Sequence, residues 1–237
     1  MQRHGHRCPW ERVIAPQITI RRIGREEQPV AIVDGFHPDP AALRRLAGDA
    51  AFRPGANHYP GLRADLPADY LTRIAPALAA SLPEAFGHGG EAALIDASYS
   101  IVTTPPDGLT VPQRLPHMDA VDLRRIALVH YLSPEDRDGT AFFRHRSTGF
   151  ETVDQVRSPV YFGQLDAELR HGGVPDPGYV NGSTRLFTQI DQIEARYNRA
   201  LIYRSALLHS GAISPDAVLS ADPARGRLTV TAFLSLT

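Results

Sequence analysis

The chain contains no lysine, and all 25 of its basic residues are arginine. Schiff-base chemistry through a lysine is thereby excluded. Any fixed positive charge at a binding site must be a guanidinium, which favours a bidentate grip on carboxylates. A single cysteine, Cys8, excludes an internal disulfide, in keeping with a reducing compartment. No apolar run approaches the roughly 18 residues that a membrane span requires. The N-terminal stretch MQRHGHRCPWERV carries charges where a signal peptide would carry its apolar core. A soluble, cytoplasmic protein is the expectation. The formal net charge of −1 offers no footprint for nucleic acid.

What is present fits one globular domain. The chain has 237 residues, 43% of them apolar, and its 20 prolines sit in turns rather than in one low-complexity tract. Residues 1–28 read as an N-terminal extension, flexible in part, and the domain proper as 29–237. The run PVAIVDGF at 29–36 predicts a buried strand. Asp39 and Pro40 then supply an N-cap and a first helical position. A second helix fits LPADYLTRIAPALAASL at 66–82, with Pro76 expected to bend or split it. Helices therefore occupy about 40–85. From residue 93 the texture turns to short β-branched and aromatic runs, ALIDASYSIVTT, RRIALVHYLS, GTAFFRHRS, RALIYRSALLHSG and GRLTVTAFLSLT. The less regular stretch 151–194 reads as loop plus a short helix, an insertion between strands. The class is mainly β with flanking helices.

Two H-x-D triplets stand among the ten histidines. In His37-Pro38-Asp39 the aspartate already has a capping task, so that triplet reads as structural. His117 and Asp119, in RLPHMDA, stand at the start of the β-rich region, where residues i and i+2 share a face and a strand end would aim both at one ion. A turn with a surface histidine is the alternative on the triplet alone. Imidazole plus carboxylate suits a divalent metal such as iron, and a third ligand from a distant strand would complete a facial triad. His209, at the exit of an apolar strand-like run, is the candidate. His130 alternates with Ile126 and Leu128 and reads as a core histidine, and His4, His6, His58, His88 and His171 as solvated. In GRLTVTAFL, alternation puts Arg227, Thr229 and Thr231 on one face and Leu228, Val230 and Ala232 on the other. If that polar face points into a barrel, Arg227 needs an anionic partner, and with a hydroxyl two residues on it forms a pocket for a carboxylate. Arg144, His145 and Arg146, with the segment 151–194, are candidates for substrate contact.

With HMD at 117–119, a distal His209 and RLT at 227–229, the order resembles the Fe(II)/2-oxoglutarate-dependent oxygenases. More narrowly, YPGLRA, PHMD, GTAFFRHRSTGFE, NRALIYRSALLHSG and GRLTVTAFL look like a bacterial family of uncharacterised function assigned to that superfamily. The resemblance implies a double-stranded β-helix, or jelly-roll, core. It makes His117, Asp119 and His209 the iron ligands, and Arg227 and Thr229 the residues that hold the far carboxylate of 2-oxoglutarate. It also implies that O2 is consumed, that succinate and CO2 are released, and that a substrate C–H is hydroxylated, since Asp119 stands where halogenating members carry a small residue. Desaturation and demethylation stay open. The step from His209 to Arg227 is longer than usual in that superfamily, and Arg225 is the substitute if the register differs. The expected substrate is a small molecule or peptide, with no nucleic acid and no membrane, and a homodimer is compatible with the sequence. The readings from other classes are a cupin-type metalloprotein that uses no 2-oxo acid and a non-catalytic jelly-roll binding protein. No G-x-S-x-G elbow supports a serine hydrolase on Ser210 and His209.

Overall fold

In a computed structural model, residues 15–56, 58–87, 92–134 and 137–236 are described. The elements follow in the order β1 (Gln17–Ile23), β2 (Gln28–Asp34), α1 (Pro40–Gly48), β3 (Arg53–Pro54), β4 (Gly61–Ala64), α2 (Tyr70–Phe86) and β5 (Ala92–Val102). After two 3₁₀ turns come β6 (Arg125–Tyr131), β7 (Gly139–His145), α3 (Ser158–Gly172), β8 (Phe187–Glu194), β9 (Arg199–Arg204), β10 (His209–Ala212) and β11 (Leu228–Leu236).

The strands form two antiparallel sheets. The larger has the order β1-β2-β9-β6-β11-β5-β4-β3 and the smaller β10-β7-β8. The central strands of the larger sheet read as continuous apolar runs because both of their faces are buried. Ala31 and Val33 of β2, Ile126 and Leu128 of β6, and Ala200 and Ile202 of β9 pack outward against Leu43 of α1 and Tyr70, Ile74 and Leu82 of α2. Their alternates Val30, Ile32, Ala127, Tyr131, Leu201 and Tyr203 face inward, onto Phe142 of β7 and Ile193 of β8. The second cluster is thus the seam between the sheets. A third core, around Phe143, Tyr161, Phe187 and Leu208, joins the smaller sheet to α3.

Several sequence expectations meet this structure directly. Asp39 caps α1, its side chain accepting from the Ala42 amide at 2.9 Å. Pro76 neither splits α2 nor ends it, and the helix also contains Pro83. Pro76 lies on the exposed face, where water can serve the carbonyl that loses its helical donor. The extension expected over 1–28 is corrected for residues 17–23. They form edge strand β1, whose Ile18 and Ile20 pack on the outer core, and residues 1–14 lie outside the described residues. The insertion expected at 151–194 holds its helix, α3, but its last eight residues are β8, a full member of the smaller sheet. The sequence hides β8 because its FTQIDQIE is polar at most positions. No helix among the described residues is long and apolar enough to cross a membrane.

Candidate metal centre and inner-face pocket

The PHMD stretch follows a 3₁₀ turn, Val111–Arg114, that Thr110 and Gln113 close with a capping box. It does not run on into a strand. Its only ladder contact among the described residues is one antiparallel bridge, in which His117 and His209 exchange amide-to-carbonyl bonds of 2.9 and 2.8 Å. Asp119 is fixed by its own amide, which donates to the Ser205 carbonyl at 2.8 Å. Met118, between the two, packs against the third core. Alternation around that apolar anchor turns His117 and Asp119 to the opposite side.

His117, Asp119 and His209 converge. Their potential ligand atoms all lie within 4.8 Å of one another, with Asp119 Oδ1 3.9 Å from His117 Nε2 and Asp119 Oδ2 3.5 Å from His209 Nε2. Donors about 2.1 Å from one ion and at right angles around it stand about 3 Å apart, so a first-row divalent ion fits after shifts of less than an ångström. The His209 Nδ1–H donates to the Leu207 carbonyl at 2.8 Å, which leaves the Nε2 lone pair facing Asp119 and fixes the tautomer a metal needs. The Tyr203 ring meets the His209 ring edge-on at 4.9 Å and restrains it. Loss of water around the His117 ring and the second imidazole of His209 lower the His117 pKa, against the pull of Asp119. Both causes favour the neutral, ligating form. His209 is 7% exposed, so the centre opens to solvent on the His117 side.

The inner face of the larger sheet carries a polar rank beside the seam. Cross-strand register aligns Arg63 of β4 with Ser100 of β5, Ser100 with Thr229 of β11, and Thr229 with Tyr131 of β6. Arg227 precedes β11 and shares the parity of Thr229. Its Nη2 donates to the Gly139 carbonyl at 2.8 Å and its guanidinium lies 5.6 Å from the Tyr131 ring centre, while its Nε is buried without a hydrogen-bond partner. The alternation of the last strand thus holds, with Leu228, Val230 and Ala232 in the outer core and Thr229 buried on the other face. Arg225 is exposed, in the turn before β11. A cavity of about 340 Å³ beside Arg227 is lined by Tyr131, Ser133, Arg137 and Val218, with Arg225 at its wall. It borders this polar rank rather than the three converging residues.

The remaining histidines and arginines separate by contact. His145, expected to touch substrate, is fully buried, its Nε2–H donating to Glu168 at 2.9 Å and its Nδ1 accepting from Thr148 at 2.9 Å. Arg144 is ion-paired with Glu151 at 3.1 Å, and Glu151 also accepts from the amides of Arg25 and Glu26 in the β1–β2 turn. Arg146 donates to the Thr184 carbonyl. None of the three residues hydrogen-bonds to the converging triad. Through these contacts the three side chains brace the smaller sheet. His130 is a core histidine, its Nε2–H donating to Asn198 at 3.0 Å and its Nδ1 accepting from Tyr70 at 3.2 Å. His58 and His171 are exposed, and His4, His6 and His88 lie outside the described residues.

Sequence reasoning assigned no role to Tyr131, Tyr203, Tyr59 or Arg63. Tyr131 and Tyr203 could have been found from the same parity that marked Thr229. Tyr59 and Arg63 belong to YPGLRA, whose position beside β5 only the sheet order reveals.

HygX from Streptomyces hygroscopicus is similar in fold. The structure with nickel, 2-oxoglutarate and hygromycin B bound matches with a TM-score of 0.50 at 13% identity, over 88% of this chain and 83% of that one. The structure with iron bound matches with a TM-score of 0.51 at 14% identity, over 88% and 82%. No curated protein sequence matches this chain. The profile of a family of unknown function, DUF6445, matches residues 14–234, and the chain belongs to that family.

Proposed function

We propose that this protein is an Fe(II)- and 2-oxoglutarate-dependent oxygenase that hydroxylates an unactivated C–H of a small molecule or peptide. The observation that carries the reading is the convergence of two imidazoles and one carboxylate on one point beside the seam of two facing antiparallel sheets. We read the facing sheets as a double-stranded β-helix. Folds of this kind in HygX hold iron, or nickel with 2-oxoglutarate, which supports the same ligand chemistry here.

His117, Asp119 and His209 would hold the iron, leaving open coordination positions for the 2-oxo acid and O2. When bound, the metal with its co-substrates supplies the oxidising equivalents, and succinate and CO2 are the by-products. The chain's own contribution is positional. Asp119 supplies the one anionic protein ligand and neutralises part of the ion's charge. The Leu207 carbonyl holds the His209 tautomer. Arg227, whose Nε is buried and unpaired, would grip the far carboxylate of 2-oxoglutarate with Thr229 beside it. Arg227 is preferred to Arg225 because it shares the buried inner face with Thr229, whereas Arg225 lies in solvent. The apolar seam behind the rank, with Phe142 and Leu207, excludes water from the co-substrate side.

The test is succinate release from 2-oxoglutarate by the Fe(II)-loaded protein under air, with and without candidate substrates. Slow uncoupled turnover in their absence is the expected result. Tight metal binding with no 2-oxoglutarate consumption under any condition would leave a cupin-type metalloprotein instead.

A further inference from the structure

One guanidinium on the inner face of the larger sheet has no anionic partner. Arg125 opens β6 and shares the parity of Ala127 and Val129, which lie at the seam, while Ile126 and Leu128 point into the outer core. Its guanidinium stacks over the Phe233 ring at 4.4 Å, and its Nε is buried without a hydrogen-bond partner. The same face holds Arg199 of β9, which Asp34 grips at two nitrogens, at 2.7 and 2.8 Å. Arg125 has no such carboxylate among the described residues. A ring face offsets part of the charge but accepts none of the in-plane N–H bonds, so a part-buried guanidinium held only by a ring calls for an anion.

Backbone bonds set this group beside the candidate metal centre. The Ser205 amide donates to the Arg125 carbonyl at 2.9 Å, and the Ser205 carbonyl accepts from the Asp119 amide at 2.8 Å. One residue thus ties the start of β6 to a member of the triad. The pocket read for the co-substrate lies the other way. Tyr131, beside Arg227, ends β6, about 20 Å along the strand from Arg125. Arg125 therefore stands outside the pocket of Arg227 and Thr229.

The face next to Arg125 is apolar, with one unpaired hydroxyl. Register sets Phe233 of β11 opposite Ala127, and Thr231 opposite Val129 on one side and Ser98 of β5 on the other. Phe233 and Val129 are only partly buried against the seam. The Thr231 hydroxyl is engaged by Ser100 at 2.8 Å. Ser98 is 9% exposed, and its hydroxyl has no partner. Along the face the order is thus a guanidinium, an aromatic ring, then an aliphatic side chain level with a buried hydroxyl. Fe(II), Asp119, 2-oxoglutarate and Arg227 together carry no net formal charge, so an anionic substrate needs one further cation, and Arg125 supplies it.

We propose that Arg125 is a substrate-binding residue that takes a carboxylate of the substrate in its fork, and that the substrate is a small carboxylic acid whose apolar body rests on Phe233 and Val129 with a polar group reaching Ser98. This deepens the oxygenase reading above and rests on it.

The experiment uses the anaerobic protein loaded with Fe(II) and 2-oxoglutarate. It is titrated with hexanoate, 3-phenylpropionate and N-acetyl-L-leucine, and with the primary amide of each, while the charge-transfer absorption of the chelate is followed. At least one acid is expected to shift the absorption saturably, with its amide at least tenfold weaker. Arg125→Met should weaken that acid about 10- to 100-fold and leave its amide, 2-oxoglutarate and the metal at wild-type affinity. Arg125→Lys keeps the charge without the fork, and its affinity for the acid should fall between the two. If amides bind as well as acids, or Arg125→Met binds the acid like wild type, the proposal fails. Weakened 2-oxoglutarate binding in Arg125→Met would also overturn it, because the guanidinium would then serve the co-substrate or the fold. If 2-oxoglutarate binds and no acid shifts the absorption, the proposal fails and the oxygenase reading stands. If the wild type shows no saturable 2-oxoglutarate binding, both fall together.

Discussion

The backbones of His117 and His209 hold each other, each amide donating to the other's carbonyl, and this bridge brings the two imidazole centroids to 4.5 Å. The pair is assembled by the polypeptide itself. A chelator should therefore strip the metal while leaving the far-ultraviolet circular dichroism intact, with the melting temperature lowered only by the lost binding energy. Collapse of the folded signal on chelation would mean that the metal, and not the bridge, builds the site.

Asp119→Ala removes the one carboxylate of the triad, and iron affinity should fall by at least tenfold. Unfolding free energy should change by less than about 1 kcal/mol, because the Asp119 amide, and not its side chain, bonds Ser205. Equilibrium dialysis with Fe(II) or Mn(II) reads the first quantity and chemical denaturation the second. Undiminished metal binding would remove Asp119 from the ligand set.

Arg227→Met keeps the apolar stem and deletes the fork. Loss of a charge-assisted contact of about 2–4 kcal/mol corresponds to roughly 30-fold to 1000-fold weaker 2-oxoglutarate binding. Metal affinity should be unchanged, since the triad comes from other segments. A titration showing wild-type affinity would transfer the role to another guanidinium, Arg63 first, because its Nε is also buried and unpaired on the same rank.

Arg144→Ala should act on stability and not on catalysis. It leaves the Glu151 carboxylate, which is 1% exposed, without its guanidinium partner and held only by the two amides of the β1–β2 turn. A loss of about 3 kcal/mol is expected by denaturant unfolding, with metal and 2-oxoglutarate affinities kept. A selective rise in KM for a substrate, at unchanged stability, would restore the contact role read from the sequence.

His130 gives the protein an acid-sensitive point. Burial pushes its pKa down to about 3, Asn198 opposing and His37 assisting, whereas in the unfolded chain it titrates near the ordinary histidine value of about 6.5. Between these values the unfolded state binds a proton that the folded state refuses. This stability contribution is thus present above about pH 6.5 and is lost as pH falls, by up to about 1.4 kcal/mol per unit, until the folded pKa is reached. Unfolding curves for wild type and His130→Gln at pH 7 and pH 5 should converge at the lower pH. Parallel curves would place the acid sensitivity elsewhere.

The pieces that depend on local order were legible in the amino-acid pattern. Period-two alternation in GRLTVTAFL put Arg227 and Thr229 on one face, and the structure has Leu228 and Val230 in the outer core and Thr229 buried opposite them. Continuous apolar runs such as PVAIVD announced strands buried on both faces, and Asp39 with Pro40 announced α1. Tertiary structure alone decided what depends on contacts distant in sequence. Whether FTQIDQIE is a strand was settled by its pairing with β7, because its own residues are too polar to declare a core strand. The fates of His145 and Arg144 were settled by Glu168 and Glu151, partners that no spacing rule identifies. Tyr59 came to lie beside Thr229 because β4 joins the sheet next to β5, and strand order is fixed by burial over the whole chain rather than by any local pattern.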